Sequence, residues 1–252
     1  MSAWMRHLLI VSIVIAFSIG FYYLCIRPYA YRWRPCHGKK NYGVCMPLHY
    51  EVHGVDISHY QGLIDWERLA LNKEAEFPIH FVFLKATEGG TLGDETFTQN
   101  FGQARRYGFI RGAYHYFIPG TDAYKQADFF IRTVQLAKGD LPPVLDVETL
   151  GRKSPHELRT VVKTWLQRVE SHYGIKPILY TSYKFKERYL NDSVLDTYPY
   201  WIAHYYVDSM RYAGKWHFWQ HTDVGVVPGI KEEVDLNVFN GTLQQLQELT
   251  LQ

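Results

Sequence analysis

The chain has 252 residues, 47% hydrophobic and 16% aromatic, with three cysteines and a formal net charge of +2. That length suits one large domain or two small ones with a well-filled core, and three cysteines make neither a disulfide framework nor a cysteine metal site. Six of the 27 basic residues and none of the 25 acidic ones precede residue 51, so the remainder carries 21 basic against 25 acidic and lacks the basic footprint of a nucleic-acid binder.

Residues 1–27 read as a membrane segment. From Leu8 to Ile26 the sequence is LLIVSIVIAFSIGFYYLCI, without a charge, and as a helix it would cover about 28 Å, close to a bilayer's hydrocarbon core. A cleaved signal peptide is the rival, with Arg6 before the apolar run and Ser18-Ile19-Gly20 as a small-x-small site. The apolar run continues past that site, so an uncleaved anchor is preferred. Arg27, Arg32 and Arg34 follow the run and only Arg6 precedes it. That asymmetry alone would keep the following chain cytoplasmic; export is expected instead, on the functional grounds below. Residues 28–50 form a juxtamembrane linker. In it Cys36 and Cys45 bracket a short polar stretch, and either close a small loop outside the cytoplasm or stay as free thiols.

Residues 51–252 alternate short apolar strands with amphipathic helices. Strands are expected at 52–57, 81–86, 112–117, 144–148 and 177–181, then at 200–205, 216–221 and 234–239. Asp65 is placed to cap a short helix. Helices are expected at 97–107, ended by Gly108, and at 122–138, ended by Gly139. Another starts at Ser154-Pro155-His156-Glu157, with Ser154 as N-cap and Pro155 in the first turn, and stops at Gly174. A last helix closes the chain at 241–251. Strand–helix alternation argues for a parallel sheet. Eight strands in about 200 residues argue for a TIM-like (β/α) barrel, irregular in its last third. An open doubly wound sheet would want a glycine-rich turn after the first strand, and His53-Gly54-Val55-Asp56-Ile57 has none.

The run Val144-Leu145-Asp146-Val147-Glu148 puts two acids on a strand. Residues two apart share a face, and like charges held close resist ionising together. One carboxylic acid beside one carboxylate is the pairing glycoside hydrolysis needs. A lone Asp-x-Glu is more often a cap or an ion-pair partner, so the other strand ends matter. They carry Asp56, Lys85, Thr87, Glu88, His115, Tyr116, Tyr180, Thr181, His204, Tyr205, Gln220 and Thr222, while Asp235 and Asn237 lie within the last strand. In a barrel, chemistry gathers at C-terminal strand ends.

Several strings together resemble the glycoside hydrolase family 25 muramidases, the Chalaropsis-type lysozymes. They are Gly54-Val55-Asp56-Ile57-Ser58-His59-Tyr60-Gln61-Gly62, Lys85-Ala86-Thr87-Glu88-Gly89, Gly112-Ala113-Tyr114-His115-Tyr116, Leu145-Asp146-Val147-Glu148, Tyr200-Trp201-Ile202-Ala203-His204-Tyr205, Trp219-Gln220-His221-Thr222-Asp223 and Val234-Asp235-Leu236-Asn237. The resemblance covers about residues 52–240. It implies an irregular barrel of five βα units and three further strands. It also implies cleavage of the β-1,4 bond between N-acetylmuramic acid and N-acetylglucosamine in peptidoglycan. Glu148 matches the family's catalytic acid and Asp146 its partner; Asp56 and Asp235 match two further cleft acids. Lys85, Tyr116, Tyr180, Trp201 and Gln220 are expected to bind substrate, with Tyr180 at the acetamido group and Tyr116 and Trp201 as aromatic walls. No cofactor or metal is implied, and a monomer is expected. A non-catalytic glycan-binding module, a tethered scaffold and a chitin-cutting enzyme are the competing readings.

Overall fold

The computed structural model describes residues 2–27, 36, 38–205 and 207–252. The chain divides into two compact units, Met1–Lys39 and Lys40–Gln252. In the first, α1 (Ala3–Phe21) runs on into a π-helical turn (Tyr22–Ile26). Ser2 caps α1, its hydroxyl accepting from the Met5 amide at 3.4 Å. Ala3–Ile26 has a mean hydropathy of 2.4 and no buried residue, so by length and composition it could span a membrane. The linker residues 28–35 and 37, including Arg32 and Arg34, lie outside the described residues. Cys36 and Cys45 are both disulfide-bonded, and Cys25 is free.

The second unit opens with a hairpin of β1 (Lys40–Asn41) and β2 (Val44–Cys45). Its turn residues Tyr42 and Gly43 both have positive φ, 51° and 77°, as a two-residue hairpin turn requires. The Tyr42 hydroxyl is buried and donates to the Phe77 carbonyl at 2.8 Å. After the hairpin come β3 (Val52–Ile57), α2 (Trp66–Ala70), β4 (Ile79–Glu88), β5 (Leu92–Gly93), α3 (Phe97–Arg106), β6 (Ile110–Tyr116), α4 (Ala123–Thr133), β7 (Val144–Asp146) and α5 (Pro155–Tyr173). The chain continues with β8 (Ile178–Ser182), α6 (Tyr183–Tyr189), β9 (Tyr200–Ala203), β10 (Phe218–Gly225), β11 (Val234–Phe239) and α7 (Leu243–Glu248).

Eight strands close a barrel in the order β3-β4-β6-β7-β8-β9-β10-β11, and β11 returns to β3. Seven strands run parallel; β11 is antiparallel to both its neighbours. The short β5 folds back on the end of β4. The expected caps are present. Asp65 accepts from the Arg68 amide at 3.0 Å. Ser154 and Glu157 form a full capping box, and Gly174 ends α5 in the left-handed conformation.

Several boundaries differ from the sequence expectation. The α4 helix stops at Thr133, not Lys138. Val134 is extended and buried, and its carbonyl accepts from the Tyr173 hydroxyl at 2.8 Å, which replaces a helical bond. The fourth strand ends at Asp146, so Glu148 lies just past it. Its extension stays tied to β8 by the Val147 amide, which donates to the Tyr180 carbonyl at 3.0 Å. The helix α6, between β8 and β9, was not anticipated. It is only seven residues long, begins on a Ser182 cap, and carries four charged or polar residues against three aromatics in no clear stripe.

Side chains alternate along every strand between the barrel interior and the helix layer. Val52, Phe81, Phe83, Val144, Ile178, Trp201, Phe218 and Phe239 fill the interior as one apolar cluster. Val55, Ile57, Val82, Leu84, Ala113, Leu145, Leu179, Ile202 and Leu236 point the other way, into the cluster shared with the helices. Space inside is tight. A Cβ on Gly54 would sit 2.4 Å from the Phe81 ring, and one on Gly112 would sit 2.5 Å from Phe83. Those phenylalanines stop the barrel below its mouth and leave a shallow, polar layer above.

Candidate active site

The same alternation that buries Phe81 and Phe83 turns Lys85 inward two residues later, and the other strands behave alike. Asp56 follows Gly54 on β3, Tyr116 and Tyr114 follow Gly112 on β6, and Asp146 follows Val144 on β7. Because β11 runs antiparallel, its inward residues near the mouth come at its beginning. Asp235 is therefore the register partner of Asp56. These residues, with Glu148, Tyr180, Trp201 and Gln220, line one cleft of about 250 Å³ at the mouth of the barrel. A larger hollow of about 520 Å³ lies around Trp216, His217 and Asn240 and has only Glu248 as an acid, so it offers no carboxylate pair.

A hydrogen-bond network holds the far side of the cleft. Asp56 Oδ2 accepts from Gln220 Nε2 at 2.8 Å and from Asn237 Nδ2 at 2.7 Å. Those donations fix both amides, so Gln220 Oε1 accepts from the Tyr180 and Tyr205 hydroxyls at 2.6 and 2.5 Å. Asn237 Oδ1 accepts from Trp201 Nε1 at 2.8 Å. Trp201 is almost fully buried, stacked on Phe83 with ring centroids 4.4 Å apart. It forms the floor of the cleft rather than the wall expected from sequence. On the near side, Lys85 Nζ donates to Glu88 Oε2 at 2.7 Å and lies 5.3 Å from the Tyr116 ring centroid.

Asp146 differs from its neighbours. It is buried, and its Oδ1 has no hydrogen-bond partner. An unpaired buried acceptor costs free energy, so this oxygen is set for a donor the protein does not supply.

The four acids crowd one another. Burial, then the charges of Glu148 and Asp56, push the Asp146 carboxyl well above its usual range. Burial and the Asp56 charge raise Asp235 to about 9. Burial lifts Asp56 to about 6, with the Asn237 and Gln220 amides pulling it back. Glu148 is exposed at the cleft edge, yet the protein around its carboxyl still raises its pKa; Tyr180 and Lys85 oppose the rise. The Tyr180 hydroxyl has one proton and two acceptors within reach, Gln220 Oε1 and Glu148. Near neutrality the four carboxyls therefore carry fewer than four charges, and their protons belong to the set rather than to single residues. Among the described residues, no group of three or more His, Cys, Asp or Glu is disposed to hold a metal ion.

A profile of the glycosyl hydrolases family 25 matches residues 55–230. The chain belongs to that family. It is 44% identical to the uncharacterized protein YegX of Escherichia coli K12 over 218 residues, covering 86% of this chain and 79% of that protein. It is 32% identical to lysozyme M1 of Streptomyces globisporus, covering 79% of this chain and 71% of that one. Its fold is similar to a family 25 glycosyl hydrolase from Bacillus anthracis, with a TM-score of 0.74 and 31% identity over 86% of this chain and all of that one. The protein is a glycoside hydrolase of the lysozyme class.

In this family 25 barrel, all nine site residues expected from sequence line the cleft. Of the other strand-end candidates, Tyr205 also lines it, whereas His115, Thr181 and His204 do not. His115 faces the helix layer, stacked on Trp165 and held between Thr87 Oγ1 at 2.8 Å and Gln126 Oε1 at 3.1 Å. Thr181 donates to the Val147 carbonyl at 2.7 Å, and His204 stacks on Tyr183. Their parity along each strand, opposite to that of the cleft residues, accounts for the division. Ser58, Tyr60, Gln61 and Tyr114 also line the cleft and were not singled out. Tyr114 could have been found by parity from Tyr116; the other three sit on a turn, where parity gives no guide.

Proposed function

We propose that this enzyme hydrolyses the β-1,4 bond between N-acetylmuramic acid and N-acetylglucosamine in peptidoglycan, as a retaining muramidase assisted by the substrate's own acetamido group. The observation that carries the assisted route is the unpartnered Asp146 Oδ1 in the cleft beside Glu148. A 2-acetamido N–H donated to that oxygen would satisfy it and favour its ionised form. The new charge on Asp146 raises the proton affinity of Glu148, which then stands protonated as general acid. Glu148 passes its proton to the leaving glycosidic oxygen while the acetamido carbonyl oxygen attacks the anomeric carbon. Asp146 holds the N–H and balances the positive charge that forms on the ring so made. Glu148, now a carboxylate, takes a proton from the water that opens that ring, giving net retention.

Glu148→Gln is expected to lower kcat by about 10²–10⁴-fold, the usual worth of a positioned acid. Asp146→Asn, which keeps the shape but neither balances charge nor accepts in the same way, is expected to lose about 10²–10³-fold. Both are read as reducing ends released from purified peptidoglycan. Near wild-type turnover by Asp146→Asn would exclude the assisted route.

We further infer that the apolar segment anchors the enzyme to a membrane with its barrel exported. The disulfide-bonded cysteines support an oxidising compartment, and the substrate class lies outside the cytoplasm. A C-terminal fusion to a reporter that folds only in an oxidising compartment should be active. Activity solely from a cytoplasm-restricted reporter would contradict export.

A further inference from the structure

Tyr60 is 73% exposed, although it lines the cleft that holds the four acids. It stands on the 3₁₀ turn His59–Gln61 that follows β3, three strands around the ring from β7, which carries Asp146. The turn that carries it is built in. Ser58 and Gln61 close a capping box around the turn, with the Ser58 amide donating to Gln61 Oε1 at 2.9 Å. Gln61 Nε2 donates to the Glu233 carbonyl at 3.2 Å, two residues before Asp235. Behind Tyr60 the His59 ring lies 4.2 Å away, tilted by 35°. His59 is itself clamped, its backbone amide and ring Nδ1 each 2.9 Å from Asp94 Oδ2. Asp94 also accepts from Thr96, whose amide and hydroxyl lie 2.9 and 2.7 Å from Oδ1. The bonds to Thr96 and His59 hold the Asp94 carboxyl ionised against its partial burial, with its pKa below the usual range.

An aromatic ring that stands on a fixed turn, backed on one side by a clamped ring and left uncovered on the other, loses less side-chain entropy on binding than a free one. The apolar C–H face of a pyranose is the chemical surface it suits, since tyrosine offers a flat apolar body with a polar tip. We propose that Tyr60 is a stacking platform for a sugar ring of the glycan strand, on the cleft wall away from Glu148, with His59 and Asp94 as its positioning residues. This rests on the glycan-cleaving reading above. It adds a binding residue that selects longer strands rather than a participant in bond cleavage.

The test uses the full-length chain in detergent micelles and soluble peptidoglycan strands of graded length. Tyr60→Ala should raise KM on long strands by about tenfold, the scale of a lost aromatic contact, with kcat within about twofold and the melting temperature unchanged. Tyr60→Phe and Tyr60→Trp should keep a near-wild-type KM. His59→Ala should raise KM in the same direction by less, and its effect should vanish in the Tyr60→Ala background. An unchanged KM for Tyr60→Ala, a loss confined to kcat, or a Phe variant as poor as Ala would overturn the platform while leaving the muramidase reading intact. Absence of turnover by the wild type on every strand length would overturn both.

Discussion

Asp235 is driven by burial and by Asp56 to hold its proton up to about pH 9. A carboxyl whose folded pKa is raised stabilises the fold fully below its unfolded value near 3.8 and loses that contribution as pH rises through the folded value. Between those two values the folded chain keeps a proton that the unfolded chain releases, so Asp235 costs the barrel stability progressively from acid pH up to about pH 9. Asp235→Asn should melt at nearly the wild-type temperature at pH 3.5 and a few degrees higher by pH 9. A wild type more stable than the variant at pH 9 would refute the assignment. The sequence pattern was enough to place Asp146 and Glu148 on one face, because two-residue spacing survives even where Glu148 leaves the strand. It could not pair Asp56 with Asp235, since that register depends on the reversed direction of β11. Nor could it reveal that Asp146 Oδ1 lacks a hydrogen-bond partner, which depends on the side chains packed around it in the fold.

At the scale of elements, the site depends on glycines that admit aromatic rings. Gly54 of β3 faces Phe81 of β4 at a distance no Cβ tolerates. Gly54→Ala must push that ring and should destabilise the protein by about 1–3 kcal/mol, as overpacked cores do. Urea unfolding measures this, and a second change, Phe81→Leu, should recover part of the loss in the Gly54→Ala background. An unaffected midpoint for Gly54→Ala would show that the interior gives way more easily than its packing implies. Elements with a strong local signal were readable in advance. The α5 helix has its capping box, its Pro155 and its Gly174, and it runs between them. Elements set by tertiary contact were not. The α4 helix ends early because Val134 is buried in extended form and bonded by Tyr173. The hairpin β1–β2 involves four strand residues, too few for a periodic pattern, although its Tyr42 is buried.

For the whole molecule, two units of opposite character share one chain. The first is an apolar helix with no buried residue; the second is a barrel whose interior aromatic floor supports a polar, carboxyl-rich mouth. A barrel tied to a membrane would reach only wall within the length of its connection, which suits local cutting of nearby glycan. The eight-strand architecture followed from strand count and alternation, and the seven parallel strands agree with it. The reversed last strand lay beyond that argument, because alternation with helices fails after β9. The central claim concerns which bond the mouth of this barrel cuts. Full-length protein in detergent should be incubated with purified peptidoglycan, the products reduced with borohydride, and the new terminal sugar identified by mass spectrometry. The account predicts reduced N-acetylmuramic acid at the new ends, absent with Glu148→Gln. New ends carrying reduced N-acetylglucosamine, or the same products from Glu148→Gln, would contradict it.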